Sequence, residues 1–174
     1  QNCEVHLDEL RNCVVFVPKP ITAVRIRGLV DCDIYCAAVE GPAYVEEAVR
    51  SRIRLAARQL RIHHSHHTDF YVALASGPII EDCADLGFAD SSLRWRHDTI
   101  DSTKLPLKSD AFKLVQVFKW VKASEPSPNW SLIDDHQDEH FFLEKENSPP
   151  LSAQTEEAER VGLVFGHVRQ KLRL

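Results

Sequence analysis

No stretch of this chain approaches the roughly 20 consecutive apolar residues of a membrane span, and methionine is absent from all 174 residues. The opening Gln1-Asn2-Cys3 carries no secretory or acylation signal. The expectation is a protein without an integral membrane segment. A positive charge excess is also missing. With 21 basic against 26 acidic side chains the net charge is −5, which gives no general attraction to nucleic acid or to anionic membranes. There is no Gly-x-x-x-x-Gly-Lys-Ser/Thr loop to cradle phosphates, which argues against a nucleotide site of that kind. No Gly-x-Ser-x-Gly elbow, His-Glu-x-x-His pair or paired Cys-x-x-Cys occurs, so hydrolase and zinc chemistries of those kinds lack their residues.

The residues that could suggest a metal do not suit one. Five cysteines, an odd number, form no tight framework and fit a reducing compartment. Cys32 and Cys36 lie four apart on a predicted strand and both face inward, where thiols pack as small hydrophobes. His63, His64, His66 and His67 crowd a predicted turn but lack Cys or carboxylate partners at metal spacing. They read as a solvated loop, and no metal ligand is assigned.

What the chain does have is an internal repeat. Cys13–Val17, Cys32–Cys36, Ser51–Leu55 and Thr68–Val72 begin 19, 19 and 17 residues apart. Each opens with a small residue. Each then places an apolar side chain third (Val15, Ile34, Ile53, Phe70) and another fifth (Val17, Cys36, Leu55, Val72). That alternation is strand periodicity with the odd positions inward. A period near 20 with short strands predicts stacked coils, a parallel β-helix, because one coil cannot bury its own apolar face. The competing arrangement is an antiparallel sandwich with chance spacing.

The period is lost after Phe88. Residues 89–126 are read as a cap of loops with a short helix or strand. Residues 134–151, acidic and then Ser148-Pro149-Pro150, read as a linker. Residues 152–174 read as an amphipathic helix. Ser152 or Thr155 can cap it, Glu156 and Glu157 suit its start, and Arg169, Lys171 and Arg173 suit its end. Its apolar stripe is Ala158, Val161, Val164, Phe165, Val168 and Leu172, packed on the solenoid or offered to a partner.

Three segments then stand out in order: Gln59-Leu60-Arg61-Ile62-His63, Pro78-Ile79-Ile80-Glu81-Asp82-Cys83, and Ser127-Pro128-Asn129-Trp130-Ser131-Leu132-Ile133. Together they resemble the tubulin-binding cofactor C domain family, whose branches include cofactor C proper and the X-linked retinitis pigmentosa type. The likeness covers roughly residues 5–133. It extends to Pro42–Ala48, similar to the family's Ser-Val-Phe-Val-Glu-Asp-Cys, and to the aromatic stretch Phe118-Lys119-Trp120.

The resemblance implies a right-handed parallel β-helix over residues 1–133 that accelerates GTP hydrolysis on a partner by lending one arginine. Arg61 falls on that position, expected at a coil corner. A guanidinium there would meet the phosphoryl charge of the transition state with a planar, always-charged fork. Such a finger is typically worth ~10³–10⁵ in rate. The Arf-like-GTPase branch of the family implies partner-facing positions for Glu81 and Phe118, and Gln59 and Arg58 join them as candidates, Arg58 where the family usually has a further glutamine. No cofactor is implied for the chain itself, since GTP and magnesium would belong to the partner. The implied partner is β-tubulin together with other tubulin folding cofactors, in the cytoplasm and at the cytoskeleton. An Arf-like small GTPase is the alternative. A third possibility is a non-catalytic scaffold, because the actin-regulating cyclase-associated proteins carry a related β-helix.

Overall fold

A computed structural model of the chain describes residues 3–90, 104–122, 124–134 and 164–167. Its core is a solenoid in which successive coils stack by parallel pairing. The strands are β1 (Glu4–Arg11), β2 (Cys13–Val17), β3 (Ala23–Val30), β4 (Asp33–Val49), β5 (Arg52–His63), β6 (His66–Leu74), β7 (Ile79–Glu81), β8 (Ala84–Asp90), β9 (Gln116–Val117), β10 (Trp130–Leu132) and β11 (Val164–His167). Every described pair of strands is parallel except β11 with β2. The parallel ladders exclude the antiparallel sandwich.

The expected repeat is the register of one wall. Val15 pairs with Ile34, Ile34 with Ile53, Ile53 with Phe70 and Phe70 with Phe88. All five side chains are fully buried, and the Phe70 and Phe88 rings stack at 5.4 Å. Cys36 stacks between Val17 and Leu55 in the next inward column. A second wall runs through β1, β3, the later halves of β4 and β5, β7 and β9. Its inward column Leu7, Ile26, Val45, Ile62 and Ile80 is equally buried. Strands β4 and β5 run through both walls, with register shifts between Cys36 and Pro42 where they bend. Those shifts are the corner of the coil.

The turns between the walls explain the small residue that opens each repeat. Cys13 Sγ donates to Arg11 O, Cys32 Sγ to Val30 O, Ser51 Oγ to Val49 O and Thr68 Oγ1 to His66 O. Each bond spans two residues and closes over a left-handed residue: Asn12, Asp31, Arg50 and His67, with φ between 47° and 55°. The same turn recurs at Ser65 and Cys83, which bond back to His63 O and Glu81 O across His64 and Asp82. A backbone that L-residues adopt only at some cost is held by a side-chain hydrogen bond in coil after coil.

Beyond the coils, a 3₁₀ turn at Ala111–Lys113 precedes β9, and Leu105 packs against Ala38 and Ala56. The helix expected over 152–174 is corrected where it is described. Val164–His167 form a strand laid antiparallel on Phe16–Cys13, which pairs the free edge of β2. The remainder of that segment, and the linker apart from Asp134, lie outside the described residues.

Candidate functional site

Strand β5 carries four arginines, and three of them are committed to the fold. Arg52 grips Asp33 through two bonds of 2.7 and 3.0 Å. Arg54 is buried between the rings of Tyr35 and Tyr71, 5.2 and 4.3 Å from their centroids, and donates to Tyr35 Oη at 3.3 Å. Arg58 sits at the corner and donates to Glu40 O at 3.0 Å and to Lys104 O. It ties the coil to the segment before the 3₁₀ turn and stands apart from the groove described next.

Arg61 is the exception. It is exposed and has no hydrogen bond or ion pair among the described residues. It lies within the second limb of β5, not at a coil corner as expected, because each coil holds two strand limbs and the corner falls at Ala56–Arg58. Alternation along the limb turns Leu60 and Ile62 inward, both fully buried, and Arg61 outward. Its register neighbours are Tyr44 on one side and Ile79 on the other. A rigid strand flanked by paired strands therefore fixes where its Cα points.

Around it lies an open groove lined by Arg61, Ile79, Gln116, Val117, Phe118 and Lys119. Phe118 is 59% exposed, and its N–H donates to Ile80 O at 2.8 Å. Glu81, in register with His63, meets Lys119 Nζ at 2.7 Å and His63 Nε2 at 3.9 Å. The hydrogen bond to Glu81, with Asp82 nearby, raises the Lys119 pKa above its ordinary value. Tyr44 packs on His63, ring centroids 5.1 Å apart, and under the Arg25 guanidinium at 5.7 Å. Burial raises the Tyr44 hydroxyl's pKa.

Of the residues singled out from the sequence, Arg61, Glu81 and Phe118 thus share one wall, and Gln59 precedes Arg61 by two positions on the same limb. Tyr44, His63 and Lys119 were not singled out for this site. A signal was available: Val24/Ile26, Ala43/Val45 and Leu60/Ile62 alternate at the same offsets as the first wall, which places Tyr44 beside Arg61. Nothing comparable announces Lys119, whose position depends on a non-repetitive segment. The remaining histidines serve the turns: His64 and His67 are left-handed, and His67 meets Asp85. Among the described residues no group of three His, Cys, Asp or Glu could hold a metal ion. No helix among them is long and apolar enough to cross a membrane.

Known proteins resemble this one over the same region. The family model for tubulin binding cofactor C matches residues 2–118. The chain is 29% identical over 136 residues to tubulin-folding cofactor C of Arabidopsis thaliana and 28% identical over 138 residues to human tubulin-specific chaperone C. Those matches cover 77% of this chain, and the chain spans only 39% of either relative's length. Among solved structures, tubulin binding cofactor C from Leishmania major superposes with a TM-score of 0.59 at 25% identity, over 75% of this chain and 87% of that one. With most of its length matched by the family model and its solenoid by a solved member, the chain belongs to the tubulin binding cofactor C family.

Proposed function

We propose that this domain is a GTPase activator that supplies Arg61 in trans to β-tubulin during the folding and assembly of the tubulin heterodimer. The observation that carries the proposal is the contrast among the arginines of β5: three are spent on the fold, and Arg61 alone projects uncommitted beside an open groove. An arginine kept free of internal partners on a rigid strand is preorganised for a phosphoryl group that carries its charge only in the transition state. The nucleotide and its magnesium belong to the partner, and the domain needs no cofactor of its own. Phe118 and Glu81 flank the finger as docking residues, with Gln59 beside it. A desolvated aromatic at the centre of an interface is a common anchor. Arg58, exposed at the corner it braces, is a further candidate contact for the partner.

Tubulin comes first because the relatives named above are a tubulin-folding cofactor and a tubulin-specific chaperone. The site of action is then the cytoplasm, in company with other tubulin folding cofactors and near the cytoskeleton. The test is single-turnover GTP hydrolysis with saturating domain on two sets of partners: tubulin with the other cofactors, and a panel of Arf-like small GTPases. Acceleration of ~10³-fold or more on the tubulin arm is the expected outcome. Acceleration confined to the Arf-like arm would reassign the partner. No acceleration on either arm would overturn the catalytic reading and leave a binding scaffold.

A further inference from the structure

Arg61 has two carboxylates within reach that it does not hold. Glu46 and Glu81 are its diagonal neighbours on the flanking strands, two positions beyond its register partners Tyr44 and Ile79. With a strand spacing of ~4.8 Å and a rise of ~3.3 Å per residue, such diagonal neighbours lie roughly 8 Å apart, close enough for long side chains to meet. Either glutamate could latch the arginine down as an internal ion pair. Both are occupied instead. Glu46 faces Arg27 Nε at 3.9 Å, and Glu81 is held by Lys119 Nζ at 2.7 Å. Lys119 also reaches Asp82 at 3.7 Å. His63 approaches Glu81 at 3.9 Å but balances its charge only when protonated. Lys119 therefore carries most of the compensation on that side. It does so from a left-handed backbone, φ 67°, which a lysine does not adopt freely.

We propose that Lys119 is a positioning residue: by holding Glu81 in an ion pair it keeps that carboxylate from capturing Arg61, so that the guanidinium stays free for the partner. This rests on the reading of Arg61 as the finger, but the competition between Lys119 and Arg61 for Glu81 exists in the domain alone and can be measured there. Without Lys119, Glu81 turns to Arg61, its diagonal neighbour across the paired strands β5 and β7. The finger must then break an internal pair before it can serve.

The experiment compares wild type, Lys119→Gln, Lys119→Arg and the double variant Lys119→Gln/Glu81→Gln. In the isolated protein the Arg61 Nε–Hε resonance reports pairing. It is expected to move downfield and exchange more slowly with water in Lys119→Gln, and to return to the wild-type position in Lys119→Arg and in the double variant. With partner, Lys119→Gln is expected to lower the maximal single-turnover rate about two- to fivefold, the scale of one exposed ion pair. At saturating domain the double variant should recover that loss in maximal rate, while its half-saturation rises because Glu81 is also a docking residue. An Arg61 resonance unchanged in Lys119→Gln would overturn the proposal, as would a double variant no faster than the single. A change confined to half-saturation would also overturn it, since Lys119 would then be a docking contact. Full stimulation by Arg61→Ala in the same assay would instead sink the finger itself, and the resonance data would still decide the competition for Glu81.

Discussion

Ile53 shows how much rests on a single inward position. It stacks between Ile34 and Phe70, and all three are fully buried. Truncating it to alanine removes three carbons that neighbouring coils cannot close over. The Ile53→Ala variant is expected to lose ~2–5 kcal/mol in a denaturant melt. A loss below ~0.5 kcal/mol, the scale of a surface change, would mean the column is not the core. Cys36 lies in the next column, and complete burial pushes its thiol up to about 12. It therefore packs as an apolar side chain and stays unreactive. Such positions were legible in the sequence because an inward site in a solenoid tolerates few residue types. Arg61 was not legible in the same way. By residue type it matches Arg52, Arg54 and Arg58, and only packing shows that those three have partners. The family resemblance marked it first, and the structure adds that it is uncommitted.

Elements were legible in proportion to their repetition. The wall of β2, the first halves of β4 and β5, β6 and β8 follows from a period of 17–19 residues. The second wall obeys the same period, but its outward positions mix charge, aromatic and proline residues and hide the alternation. The C-terminal segment went the other way. A stripe at helical spacing includes Val164 and Phe165, yet these residues lie in a strand because the edge of β2 offers a ladder of unpaired backbone groups. That outcome depends on tertiary pairing and not on local pattern. The segment bearing Phe118 and Lys119 has no period at all, and it meets the solenoid by close backbone approach at Gly77. A Cβ there would overlap the Leu114 carbonyl oxygen, so the absence of a side chain is a packing requirement. Gly77→Ala is expected to cost ~1–3 kcal/mol, the usual range for an overpacked site, and to displace Phe118 and Lys119 from Arg61. A denaturant melt reads the first effect. A variant with wild-type stability and undiminished partner stimulation would mean the segment docks elsewhere.

At the scale of the molecule, the solenoid is a ruler that sets a free cation against neighbours drawn from distant stretches of chain. Tyr44, Arg61, Ile79 and Gln116 stand in one register column across four coils, and Phe118 and Lys119 complete the groove. The coils below have buried interiors and a recurring side-chain hydrogen bond at their turns, so a docking partner would meet a wall that needs little reorganisation. That is the condition under which a fixed charge contributes most to a transition state. It also separates two roles that variants can distinguish. Residues that hold the partner affect the amount of domain needed, and the group that meets the developing charge affects the rate at saturation. The most direct measurement is the single-turnover rate of GTP hydrolysis on tubulin with its cofactors, at saturating wild-type, Arg61→Ala or Arg61→Lys domain. An arginine finger at Arg61 requires that Arg61→Ala abolish the stimulation while the variant still folds and binds. Arg61→Lys should restore little, because a point charge does not reproduce the planar fork. A saturated rate for Arg61→Ala within about twofold of wild type, far short of the loss expected for a finger, would contradict it.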